Sequence, residues 1–271
     1  GKIIPFVKSI GNRSGLRKAM FTDAYIYMKE KFNESPGLYK LIGSKSELLA
    51  VSNVQQAAFK IGKTELISYK NKEGDNLHGL LHYPDDYVEG KQYPMIVRIY
   101  EIISHKFQKY NNPSLFNEDG FNIRNFTAKG YFVLEPDILI KKGNPGLSAK
   151  DCTVNAVNTV LEKGIVDKNA IGLIGHSFGG YETAFVITQT DLFAAAVVGA
   201  GVFDMVTFAH IVNPRTGVTG FSDIEDSQWK MEKSSYQDKE RYRRNSPIEH
   251  AHKIKTPTMI WTGNRDLRID W

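Results

Sequence analysis

The stretch AIGLIGHSFGGYETAFVITQT, residues 170–190, constrains the fold more than any other part of this chain of 271 residues. An apolar β-like run, 170–175, enters a turn of glycines around one serine, and a helical pattern, 178–188, leaves it. Gly175-His176-Ser177-Phe178-Gly179 fits G-x-S-x-G, with a further glycine at 180. Five-residue matches arise by chance, but the strand–nucleophile–helix order is the setting that marks a nucleophile elbow. Side chains at 175 and 179 would collide where strand and helix approach, and the serine itself must hold a strained backbone. Such an elbow lifts the hydroxyl above a sheet and turns the N–H of Phe178 toward a developing oxyanion. A serine that only caps the helix is the other reading of the same residues.

The flanking sequence says what kind of sheet carries the turn. Strand-like runs at 93–100 (YPMIVRIY), 131–136 (YFVLEP), 170–175, 193–199 and 258–262 alternate with helical patterns at 121–129, 148–163 and 178–188. Runs apolar on both faces, alternating with helices, predict an α/β fold with a mostly parallel sheet flanked by helices. A hairpin is expected where 66–69 and 77–83 bracket the turn-rich NKEGDN. Residues 1–65 read differently, as short β-like runs (AYIYM, GLYKLI, ELLAVS) broken by turns. This β-rich segment is too short to be an independent sandwich or barrel. The expected division is therefore 1–65 and 66–271. The polar, aromatic stretch 205–254 interrupts the alternation and is expected as a long excursion at the edge of the sheet.

Composition excludes several classes. Net charge is +5, but Lys and Arg are dispersed, and the densest cluster, 239–244, is interleaved with Glu240 and Tyr242. That is a solvated face rather than a phosphate-binding track, so no nucleic-acid partner is expected. Cys152 is the single cysteine, which excludes intrachain disulfides and cysteine-based zinc sites. No cofactor or metal is called for. No window approaches 18 consecutive apolar residues, so no membrane span is expected. The first residues, GKIIPFVKSIGNRSG, contain no signal-peptide core.

An elbow serine needs an acid and a base, in chain order serine, acid, histidine. TPTMIWTGNRD supplies the acid, with Asp266 in the loop after the last strand and Asp270 as its competitor. No histidine follows His252. His176 adjoins the serine and leaves the turn in another direction. His250 and His252 precede the acid, while His78, His82, His105 and His210 read as surface or packing residues. The base is therefore expected beyond Trp271, and residues 1–271 alone are expected to be nearly inactive.

GLIGHSFGGYETAFVITQTDLFAAAVVGAGVFD, preceded by KGIVDKNAI, resembles the prolyl oligopeptidase (S9) family of serine peptidases. YPMIVRIY with KGYFVLEPDILIKKGNPG, and NSPIEHAHKIKTPTMIWTGNRDLRI, are similar to that family's early hydrolase strands and its acid-bearing segment. The resemblance covers about residues 66–271, and implies an α/β-hydrolase domain acting on short peptides. ESPGLYKL and its surroundings in 1–65 resemble the end of a β-propeller. By position, the resemblance implies Ser177 as nucleophile and Asp266 as acid. It implies an oxyanion hole of Phe178 N–H and the Tyr100 hydroxyl, and Arg268 as a ligand for a substrate carbonyl. Val202, Phe203 and Phe208 are candidates either for the pocket beside the cleaved bond or for the core. The sequence departs from the family where Glu101-Ile102-Ile103-Ser104 replaces a glycine-rich turn. An esterase on the same fold and a non-catalytic interaction module are the alternatives. An oligomer is possible through the sheet edge near Thr262.

Overall fold

The hairpin predicted around NKEGDN forms because its turn closes on itself. The Asn71 amide donates to the Asp75 carboxylate (2.8 Å), and the Asp75 N–H returns a bond to the Asn71 side-chain oxygen (2.8 Å). It joins β5 (Thr64–Lys70) to β6 (Asn76–His82) in a computed structural model that describes residues 11–115, 120–213 and 216–269.

Two compact units emerge. One gathers the described residues of Gly1–Glu65, His82–Tyr87 and Lys106–Gly130, the other those of Leu66–Leu81, Val88–His105 and Tyr131–Trp271.

The first unit contains a four-stranded antiparallel sheet in sequence order, β1 (Asn12–Lys18), β2 (Ala24–Lys31), β3 (Glu34–Ile42) and β4 (Lys45–Val51). The last three strands are the runs legible in the sequence. β1, NRSGLRK, carries Gly15 and five polar residues and has no apolar alternation to betray it. Tyr27 and Tyr39, cross-strand partners, stack at 5.4 Å and bind the sheet's middle. The short helix α1 (Ile123–Thr127) also lies in this unit, its first turn capped by the Asn122 side chain accepting from Arg124 N–H.

The second unit is built on a seven-stranded sheet, completed by β7 (Tyr93–Arg98), β8 (Phe132–Pro136), β9 (Val166–His176), β10 (Ala195–Gly199) and β11 (Thr258–Trp261). The strand order is β11-β10-β9-β7-β8-β6-β5. The pairs β7–β8, β7–β9, β9–β10 and β10–β11 are parallel. Their apolar runs are buried, with Met95, Val97, Phe132, Val133, Leu134, Ile171 and Leu173 at 1% exposure or less. Each such side chain contributes about 1.5–3 kcal/mol on leaving water.

α2 (Pro145–Leu161) packs on β8 and β9, and α3 (Phe178–Val186) on β9 and β10. α2 starts three residues earlier than its apolar periodicity suggests. A proline in the first helical position has no N–H to lose, so Pro145-Gly146 opens the helix rather than preceding it.

One feature of this topology places the site. From β7 the chain moves to β8 on one side, and α2 then carries it back to β9 on the other. At such a switch point the loops leaving the two strands diverge and open a crevice at the carboxyl ends of the strands.

The excursion between β10 and β11 carries short helices, α4 (Met205–His210), α5 (Phe221–Glu225) and α6 (Lys239–Asn245), and a 3-10 segment, Pro247–Lys253. It is not a solvated fringe. Trp229 is buried, with its ring 4.8 Å from Phe178, 5.7 Å from Tyr181 and 5.6 Å from Phe208. Among the described residues no helix is long and apolar enough to cross a membrane.

Candidate active site

β9 ends at His176, and Ser177 follows in a conformation that L-residues avoid, φ 59° and ψ −118°. Two close approaches force the glycines on either side. A Cβ on Gly175 would stand 2.0 Å from the Gly179 carbonyl oxygen, and one on Gly179 would stand 2.3 Å from the Ile99 carbonyl oxygen. Ser177 N–H donates to the Gly199 carbonyl of β10 at 2.8 Å. The serine makes no side-chain cap bond to α3, although capping was one reading of its sequence position. Phe178 is the first residue of α3, where N–H groups lack intrahelical acceptors and the helix dipole is positive.

β7 and β9 are neighbours, with Arg98 opposite Ile174 and Ile99 N–H donating to the Ile174 carbonyl at 3.1 Å. Their ends therefore deliver Tyr100 and Ser177 to the same place. Both line a cleft of about 550 Å³ together with Glu101, Phe208, Asp223, Ser227, Gln228, Trp229, Arg268 and Ile269. The Tyr100 ring meets Phe178 edge to face at 6.2 Å.

The Glu101–Ser104 loop, which departs from a glycine-rich turn, is held by Asp137 after β8. That carboxylate accepts from both Ile103 N–H and Ser104 N–H at 2.7 Å. Two bonds to one carboxylate fix a loop that glycine would otherwise have to shape.

Of the other expected site residues, Phe208 and Arg268 line the cleft. The Arg268 guanidinium reaches it paired to Asp223 (2.5 Å). Asp266 sits in the loop after β11, its carboxylate oxygen accepting from Arg268 N–H (2.8 Å) and Ile269 N–H (3.0 Å). Its competitor Asp270 lies outside the described residues. Val202 is buried, Phe203 is half-buried, and neither lines the cleft.

All seven histidines are described, and none lines the cleft. His176 is stacked on Trp261 at 5.2 Å with the rings 7° apart. His210 bonds to Ser235 (3.0 Å), His250 to the Arg244 carbonyl (2.9 Å), His78 to Ser68 (3.2 Å) and His82 to Thr64 (2.8 Å). His105 and His252 are exposed. Among the described residues no cluster of three His, Cys, Asp or Glu side chains is placed to hold a metal ion.

The sequence reading missed Glu101, Asp223 and Gln228. Asp223 and Gln228 sit in the excursion, whose path over the elbow depends on the buried Trp229 and on no local motif. Glu101 stood in view beside Tyr100, as a departure from the expected turn.

Behind the elbow, Glu182 on α3 is fully buried, and neither of its carboxyl oxygens has a protein hydrogen-bond partner. Burial, and secondarily the Glu101 carboxylate, push its proton affinity well above the ordinary carboxylate range and so favour the neutral form.

Similarity to known proteins agrees with this architecture. Over 218 residues the chain is 26% identical to an uncharacterized peptidase of Bacillus subtilis, covering 75% of this chain and 30% of that protein. Over 121 residues it is 36% identical to an acylamino-acid-releasing enzyme of Arabidopsis thaliana, covering 44% of this chain and 16% of that protein. Its fold matches that of the Pyrococcus horikoshii acylaminoacyl peptidase with a TM-score of 0.73 at 20% identity, over 100% of this chain and 43% of that one. The chain thus spans under a third of the length of these two sequence relatives. The model of the prolyl oligopeptidase family, Peptidase_S9, matches residues 121–271, from the first helix through the elbow to the loop of Asp266. The chain belongs to the prolyl oligopeptidase family of serine peptidases.

Proposed function

We propose that this chain carries the nucleophile, acid and oxyanion hole of a serine peptidase that cleaves short peptides through an acyl-enzyme on Ser177. The observation that carries this reading is the convergence of Ser177, in its strained elbow, with Tyr100 at the ends of two adjacent parallel strands lining one cleft. The names of the relatives, an acylamino-acid-releasing enzyme among them, support peptides as the substrate class.

In this scheme the Ser177 hydroxyl attacks the peptide carbonyl as its proton passes to a histidine. Phe178 N–H and the Tyr100 hydroxyl stabilise the negative oxygen of the tetrahedral intermediate. The histidine returns the proton to the leaving amine, and water then releases the acyl group by the reverse sequence. Asp266 orients the histidine. We place that histidine outside residues 1–271, a reading supported by the absence of all seven histidines described above from the lining of the cleft. Arg268 is assigned to the substrate carbonyl and Phe208 to the apolar wall. Val202 and Phe203, which do not line the cleft, are assigned to packing rather than to the pocket.

We assign residues 66–271 to the hydrolase part, and 1–65 to the end of a β-propeller. The sequential four-stranded antiparallel sheet supports the latter, since such sheets are the blades of propellers.

The test is hydrolysis of acylated and free-amine peptide anilides by the full-length protein and its Ser177→Ala variant. Turnover lost in the variant is expected. Turnover retained in it would remove Ser177 from the chemistry.

A further inference from the structure

Gln228 is not part of the elbow, the acid loop or the oxyanion hole, yet its side-chain amide reaches the residue assigned to that hole. Its Nε2 donates to the Tyr100 hydroxyl oxygen at 3.2 Å and to Glu101 Oε2 at 3.4 Å. All three side chains line the cleft that holds Ser177. The next residue, Trp229, is buried against Phe178 and Tyr181 of α3. Gln228 is thus anchored to the same helix that presents the oxyanion N–H.

The direction of these bonds follows from donor and acceptor inventory. A carboxylate only accepts, so the Gln228 amide must turn its NH₂ toward Glu101 rather than its carbonyl oxygen. That orientation offers the second N–H to Tyr100. A phenol oxygen both donates one bond and accepts. With an acceptor site of that oxygen already filled by Gln228, the phenolic proton has no partner in the Gln228 carbonyl and is free for an acceptor in the cleft. Reversing the amide would do the opposite: the carbonyl oxygen would capture the phenolic proton and leave nothing to meet an oxyanion.

We infer that Gln228 is a positioning residue for Tyr100, its amide fixed by Glu101 so that the Tyr100 hydroxyl proton stays available to the oxyanion. The inference rests on the oxyanion role proposed above for Tyr100. It also gives a purpose to Glu101, which stands where the family resemblance led us to expect a glycine-rich turn.

The experiment is a double-mutant cycle on the full-length protein, with kcat and KM for a peptide anilide measured separately and folding checked by thermal unfolding. Removing an oxyanion donor by Tyr100→Phe should lower kcat by about 10²-fold, with KM nearly unchanged. Gln228→Leu frees the phenol to rotate, and kcat should fall by about 10-fold. Gln228→Glu offers an acceptor in place of a donor, captures the phenolic proton, and should cost more than the leucine variant. Glu101→Gln leaves the volume unchanged but no longer dictates which way the Gln228 amide faces. It should cost several-fold in kcat, an order-of-magnitude expectation for one polar contact. In a Tyr100→Phe background all three substitutions should change kcat by less than about twofold, because the group they act through is gone.

Equal losses in the two backgrounds would overturn the inference while leaving the role of Tyr100 intact. So would a glutamate variant as active as wild type. A silent Tyr100→Phe would overturn both the oxyanion assignment and the inference that rests on it. If Gln228→Leu unfolds, the Glu101→Gln pair of measurements decides by the same criterion.

Discussion

Ser177 N–H donates to the Gly199 carbonyl at 2.8 Å, so the residue following β9 is tied to the end of β10. This bond, with the glycine contacts on either side, holds Ser177 at φ 59° against its own preference. A non-glycine residue in such a region costs of the order of 1–3 kcal/mol.

Glycine at 177 would relieve that strain, though the unfolded chain gains freedom and takes back part of the benefit. Ser177→Gly is therefore expected to be inactive and more stable than wild type by about 1 kcal/mol in urea unfolding. A variant less stable than wild type would mean that the elbow is not strained at this residue.

Glu182 makes stability depend on pH in a definite direction. In the unfolded chain the group ionises near its ordinary value of 4.5, while burial in the folded protein holds the proton on well above it. The folded state then binds more protons than the unfolded state. Its advantage is complete below 4.5 and is lost as pH rises from there toward the raised folded value, by about 1.4 kcal/mol per pH unit from this one group. Glu182→Gln stays neutral throughout. The difference in unfolding free energy between variant and wild type should be flat well below pH 4.5 and should grow in the variant's favour as pH rises above it. A difference independent of pH would show that Glu182 is ionised in the folded protein.

Cys152 on α2 is buried, and desolvation pushes its thiol up to about 12. Thiolate is the reactive form, so iodoacetamide at pH 7.5 should leave the folded protein unmodified and label it rapidly in denaturant. Labelling of the native state at the rate of a free cysteine would contradict the packing of α2 on the sheet.

Arg268 is 63% exposed and paired to Asp223 at the cleft. An exposed pair contributes little to stability. Arg268→Met should leave the unfolding midpoint within a degree or two, while kcat/KM for peptides falls by roughly 10-fold through lost carbonyl binding. Parallel losses of stability and activity would make Arg268 a structural residue instead.

The elbow was legible in the sequence because its constraints are local. Gly175, Ser177 and Gly179 lie within five residues, and the apolar runs beside them declare a strand and a helix. The hairpin at Asn71–Asp75 was legible for the same reason. The partnership of Tyr100 with Ser177 was reached only through resemblance, since it depends on β7 lying beside β9, a pairing of residues some 75 positions apart that no periodicity encodes. Gln228 was out of reach altogether. Its place follows from Trp229 burying itself on α3, and one tryptophan in a polar stretch does not say what it packs against. β1 was missed because a strand at the end of the sheet needs no apolar face to pair.

The account stands on Ser177 as the group that takes up the acyl chain. The most direct measurement is mass spectrometry of the full-length protein after reaction with a fluorophosphonate probe, with the modified peptide sequenced. One adduct per chain, located on Ser177 and absent from Ser177→Ala, is the expected result. An adduct on another residue, or equal labelling of Ser177→Ala, would contradict it.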